Sequence, residues 1–208
     1  VAETKAAATK KIRETLAPQV TYLEAIRKAL PEHGILVDEL TQMGYAARLA
    51  YPTYRPRTFL SPGYQGTLGW GYATSLGAKS ARPDTPVVSI SGDGGFLFTA
   101  TEMATAAQHG IGVVAVVFSD GAYGNVRRIQ QQSFNNRTIA SDLRNPNFVK
   151  LAESFGLDAV QVKSPEELGA AISSGIGRGS PMLIDCPVGQ LPDPWPLVQV
   201  PRIRPRRS

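Results

Sequence analysis

Val87-Val88-Ser89-Ile90-Ser91-Gly92-Asp93-Gly94-Gly95 decides the fold of this 208-residue chain. A second stretch repeats its plan: Val113-Val114-Ala115-Val116-Val117-Phe118-Ser119-Asp120-Gly121-Ala122-Tyr123-Gly124. Each is an apolar, β-branched run closed by an acidic, glycine-rich turn, the pattern of a buried strand and the loop after it. Between them, Thr99 to His109 reads as a helix with Met103, Ala106 and Ala107 on one face. Two parallel strands joined by a crossover helix end side by side. Asp93 and Asp120, 27 positions apart (120 − 93), are therefore expected to face one crevice. Oxygen ligands beside glycine-rich backbone suit a hard cation holding a phosphate group.

Outward from this pair, strands and helices keep alternating. Gly34-Ile35-Leu36-Val37, Ala159-Val160-Gln161-Val162 and Pro181 to Pro187 read as further strands. Helices are predicted over Thr21 to Leu30, Thr41 to Ala50, Leu68 to Lys79, Asn125 to Gln132 and Asn147 to Phe155, the last capped by Gly156. Ser164-Pro165-Glu166-Glu167 opens another, with Ser as N-cap, Pro in the first turn and Glu at the third position. The pattern predicts an α/β fold, a doubly wound parallel sheet with helices on both faces. Residues 1–18 read as a linker or loose helix, 19–196 as the domain, and 197–208 as a basic Pro/Arg tail. The Tyr- and Pro-rich segment after Ala50 reads as loop, and polar Ser133 to Asn145 as a mobile active-site loop.

A 42% hydrophobic content over this length supports one good core. The formal charge of +5 sits largely at the ends, in Lys5, Lys10, Lys11 and Arg13 and in Arg202, Arg204, Arg206 and Arg207. No recognition motif or interleaved aromatic set accompanies it, so no nucleic-acid partner is expected. No apolar run has the length of a membrane span, and no signal-peptide pattern opens the chain, so no membrane partner is expected either. The one cysteine, Cys186, lies in an apolar strand and reads as a buried structural thiol, consistent with a cytoplasmic setting. His109, at a helix end before Gly110, reads as a favourable dipole position and not as an acid or base.

The two turns resemble the diphosphate-and-magnesium motif of thiamine diphosphate enzymes, a Gly-Asp-Gly followed some thirty residues later by Asn. Gly66-Thr67-Leu68-Gly69-Trp70-Gly71, then Ala73 to Ala78, is similar to a signature of the acetolactate synthase and benzoylformate decarboxylase group. In that group a hydrophobic residue 25 positions before the motif Asp props the cofactor into a bent shape; here it is Leu68 (93 − 25). The resemblance implies the thiamine diphosphate-binding fold. It also implies Mg²⁺ held by Asp93, Asp120 and the carbonyl of Ala122, with diphosphate oxygens and water completing the shell. The implied cofactor-binding set is Glu39, Leu40, Thr41, Gly66, Leu68, Gly92, Asp93, Gly94, Gly95, Ala122, Tyr123 and Gly124. Thr41 would donate its hydroxyl to phosphate, whereas Glu39 would act only through its backbone. Asp120 stands where the family carries Asn, which adds a charge to the metal site.

Asn125 and Ile129, four apart on one helical face, match family positions near the reactive carbon. From the residues alone, Asn125 reads equally as a helix cap and Ile129 as core packing. The resemblance further implies decarboxylation or carboligation of a 2-oxo acid, in a homodimer or tetramer. The glutamate that activates the cofactor belongs to an aminopyrimidine-binding domain of the same or a second chain, so no catalytic residue is expected here and this chain alone should lack turnover. A fragment of a longer enzyme and a separately encoded subunit both fit, and a nucleotide-binding or structural α/β module stays open as the reading from another class.

Overall fold

A computed structural model describes residues 2–63 and 65–198. Six strands form one parallel sheet: β1 (Ile35–Val37), β2 (Phe59–Leu60), β3 (Val87–Gly92), β4 (Val113–Ser119), β5 (Asp158–Gln161) and β6 (Met182–Pro187), in the order β2-β1-β3-β4-β6-β5. In the central pair Val87 stands beside Val113 and Gly92 beside Phe118. Both central strands are buried on both faces because both faces are covered, β4 with apolar residues from Val113 to Phe118 and β3 with Ser89 and Ser91 on its second face. Val88, Ile90, Val114, Val116 and Phe118 point to one side; Val87, Val113, Ala115 and Val117 point to the other.

The first side is covered by α2 (Ala17–Ala29), α3 (Gln42–Ala50) and α9 (Pro165–Arg178), through Leu23 and Ile26, Met43 and Ala46, and Leu168 and Ile172. The second is covered by α4 (Trp70–Ala81), α5 (Asp93–Leu97), α6 (Met103–His109) and α8 (Phe148–Ser154). Phe96 anchors that layer, fully buried, with ring centroids 5.2 Å from Tyr72 and 6.1 Å from Phe148. The remaining helices are α1 (Ala2–Thr15), α7 (Gly124–Ser133) and α10 (Trp195–Val198). No helix among the described residues is long and apolar enough to cross a membrane.

The structure corrects three local expectations and, for the leading residues, shows the helix of the two readings. The segment after Ala50 contains β2, two residues long, paired to β1 through Leu36–Phe59 and Val37–Leu60. The crossover from β3 begins at Asp93 itself, as α5, and reaches α6 through a 3-10 turn over Ala100–Glu102. Ala2–Thr15 is a regular helix with no buried residue, while Leu16 after it is fully buried. Finally, the C-terminal part of the 133–145 loop is tied down, with Tyr123 N–H donating to the Ser141 carbonyl and Leu143 N–H to that of Gly121, both at 2.8 Å. Of the basic tail, only Leu197 and Val198 fall within the described residues.

Candidate functional site

The strand order fixes where a ligand would sit. The connection after β1 runs through α3 toward the β2 edge, while the one after β3 runs through α5 and α6 toward β4. The two loops part company, and the crevice they leave at the strands' C-terminal ends is where open α/β sheets take ligands. A cavity of about 200 Å³ opens there. Of the residues named from the sequence, Leu40, Thr41, Leu68, Gly92, Asp93, Gly94, Gly95, Asp120, Ala122, Tyr123, Gly124 and Asn125 line it. Glu39, Gly66 and Ile129 do not.

Asp93 is buried, and its carboxylate is held by donors on three sides. Oδ1 accepts the Gly94 N–H at 2.9 Å. Oδ2 accepts the Gly121 N–H at 2.7 Å and Asn145 Nδ2–H at 2.6 Å. The Gly121 bond joins the β3 turn to the β4 turn directly. Asp120 turns back on its own loop, Oδ1 accepting the Ala122 N–H at 3.1 Å. Burial, and then the neighbouring Asp93 charge, push its carboxyl up to about 6. Two carboxylates near enough to couple in this way form a pocket of negative potential that favours a cation. Among the described residues no three His, Cys, Asp or Glu gather as a metal cage. The site offers two carboxylates, main-chain oxygen and the N–H of Gly95, a set that suits Mg²⁺, which keeps phosphate oxygens and water in its shell.

Glu39 works from behind the wall. Its carboxylate is fully buried, Oε1 accepting the Gly69 N–H at 2.7 Å and Oε2 the Ser91 hydroxyl at 2.8 Å. Burial raises its pKa against those bonds. It therefore ties the loop after β1 to the end of β3 and to the start of α4, next to Leu68. The two motif glycines are dictated by neighbours. A Cβ on Gly95 would stand 2.1 Å from Glu39 Oε1, and one on Gly94 would stand 2.5 Å from the Tyr123 ring. Thr41 begins α3 without a side-chain capping bond, so its hydroxyl is not committed to the helix. Gly66 packs on Leu40, 3.0 Å from Leu40 Cδ1 to where its Cβ would be.

Asn125 is neither a cap nor a free amide. Its Oδ1 accepts from Arg128 Nη2 at 2.9 Å and from Trp195 Nε1 at 2.8 Å. Trp195 also packs on Tyr45, with centroids 5.0 Å apart. Ile129 is 40% exposed on α7 and is not core. Sequence reasoning missed Gln42 and Tyr45, which line the crevice from α3; the three-residue spacing that puts both on one helical face was the available signal. It also missed Asn145, for which no local pattern exists.

Residues 40–186 match the family model described as thiamine pyrophosphate enzyme, C-terminal TPP binding domain. A probable acetolactate synthase large subunit of Methanococcus aeolicus is 38% identical over 136 residues, covering 65% of this chain and 23% of that protein. The acetolactate synthase of Bacillus subtilis is 34% identical over 166 residues, covering 80% of this chain and 29% of that one. The thiamine diphosphate-dependent 4-hydroxybenzoylformate decarboxylase of Rhodococcus jostii RHA1 superposes with a TM-score of 0.77 at 27% identity, covering 86% of this chain and 33% of that chain. This chain thus spans about a quarter of the length of these curated relatives.

Proposed function

The chain belongs to the thiamine pyrophosphate enzyme family as its C-terminal TPP-binding domain, and on that footing we propose that the crevice holds the Mg²⁺-diphosphate end of thiamine diphosphate in an acetolactate synthase-like enzyme acting on 2-oxo acids. The observation that carries this reading is the convergence of Asp93 and Asp120, from adjacent parallel strands, on one cavity with Leu68 in its wall. Asp93, Asp120 and the Ala122 carbonyl would hold the metal. The N–H of Gly95 and the Thr41 hydroxyl would meet phosphate oxygens. Leu68, backed by Gly69 on Glu39, would support the thiazolium side. When bound, the cofactor supplies the carbanion and the electron sink for decarboxylation, and the protein supplies orientation and a dry wall.

Exposed apolar side chains stand at this crevice: Val126, 47% exposed, lines it, and Phe98, 62% exposed, lies against Gly69 beside Leu68. They suit cover by an aminopyrimidine-binding domain and, through it, a homodimer or tetramer. Cys186, with its thiol pushed up to about 12 by burial, is un-ionised and suits a cytoplasmic setting. Calorimetric titration with thiamine diphosphate tests the proposal: saturable binding that needs Mg²⁺ is expected, and heat unchanged by chelation of the metal refutes it.

A further inference from the structure

Asp93 has one partner that no sequence pattern announces. An ionised carboxylate offers about four acceptor positions, two on each oxygen. Three are filled in this chain: one on Oδ1 by the Gly94 N–H, and both on Oδ2, by the Gly121 N–H and Asn145 Nδ2–H. Two of these donors are backbone; Asn145 is the side-chain donor. It arrives from 52 residues downstream, on a segment anchored at both ends. On one side Ala122 and Asp142 form an antiparallel bridge, and Asp142 pairs with Arg127 at 3.1 Å. On the other, Asn147 caps α8 by accepting the Lys150 N–H at 2.9 Å, and Phe148 is buried in the core. Residues 141–145 thus strap the β4 turn and end on the β3 carboxylate.

We infer that Asn145 is a positioning residue that saturates Asp93 Oδ2 and so presents Asp93 to a divalent cation through Oδ1 alone. This rests on the Mg²⁺-diphosphate reading of the crevice. A carboxylate free to rotate can offer both oxygens to one ion, the mode that large, loosely coordinated Ca²⁺ accepts and that small, strictly octahedral Mg²⁺ does not. The hydrogen bond from Asn145 is charge-assisted and short, the kind that holds a ligand's orientation. Partners of this sort typically change metal affinity by about 10–100-fold when removed.

The test is calorimetric titration of thiamine diphosphate into the chain at varied Mg²⁺ and, separately, varied Ca²⁺, for wild type, N145A and N145L. N145L keeps close to the side chain's size and removes the donor without adding charge, so it serves if N145A does not fold. For either variant, the half-saturating Mg²⁺ concentration is expected to rise about tenfold, with a smaller rise for Ca²⁺, so that the preference for Mg²⁺ narrows. A merely structural role would lower the melting temperature in EDTA while leaving the Mg²⁺-to-Ca²⁺ ratio at its wild-type value; that result overturns the inference. Wild type that binds no cofactor with either metal overturns the reading of the crevice, and the role of Asn145 with it.

Discussion

Asp120 carries the clearest electrostatic conflict in the molecule. Burial and the Asp93 charge push its carboxyl up to about 6 from an ordinary 3.8, so ionisation costs folding free energy, and stability falls as pH rises through that window. In EDTA, D120N should therefore raise the melting temperature at pH 7.5, and the gain should fade by pH 5, where wild type is itself protonated. With Mg²⁺ present, the same substitution should keep or tighten thiamine diphosphate affinity, because an amide oxygen still ligates while one negative charge opposite the diphosphate is gone; abolished binding in calorimetry would refute this. Gly95 gives a steric counterpart. The Glu39 carboxylate that a new Cβ would strike is pinned by Gly69 and Ser91, so it cannot swing aside at low cost. G95A should lose about 1–3 kcal/mol in urea denaturation, whereas a shift within error would mean that Glu39 has room to move. The sequence carried the charges of this site but not its wiring. Glu39 was legible as a neighbour of the crevice, yet whether its carboxylate faced ligand or core depended on Gly69, thirty positions away in the chain.

At the scale of elements, local chemistry was legible wherever a cap or a period exists. Ser164 accepts the Glu167 N–H and leads into Pro165, as the sequence pattern implied. S164A should lower stability by about 1 kcal/mol in chemical denaturation, with α9 the helix that loosens; equal stability would show that Glu167, which accepts the Lys163 N–H at 2.7 Å, holds the turn alone. The elements that escaped notice are short ones whose existence is tertiary. β2 is two residues, below any periodicity, and exists because the β1 edge is open beside it. α5 is five residues with two glycines at its start, a composition that reads as a turn. It is helical because Phe96 is drawn under Tyr72 and Phe148, which points the N–H groups of the motif at the crevice.

For the whole molecule, the binding site and the stability of the sheet are one problem. The candidate ligands come from the loops after β1, β3 and β4, and the crevice opens where the connections after β1 and β3 run to opposite sides, at the edge of the same sheet that separates the two core layers. That topology followed from reading alternating strands and helices; the strand order did not, because pairing of β6 between β4 and β5 is decided by packing and not by chain order. A ligand that bridges three loops binds the native state and not the unfolded chain, so it must stabilise the fold. At one hundred times its dissociation constant the gain is about 2.7 kcal/mol, which for a domain of this size raises the melting temperature by roughly 5–11 °C. Thermal denaturation with thiamine diphosphate plus Mg²⁺ should show that rise, and the same cofactor in EDTA should show almost none, since Asp93 and Asp120 would then repel the diphosphate they otherwise hold through the metal. Pyrophosphate with Mg²⁺ should reproduce part of the shift, because it fills the metal and N–H positions but leaves Leu68 uncovered. An equal shift with and without the metal would mean that the carboxylate pair does not anchor the ligand.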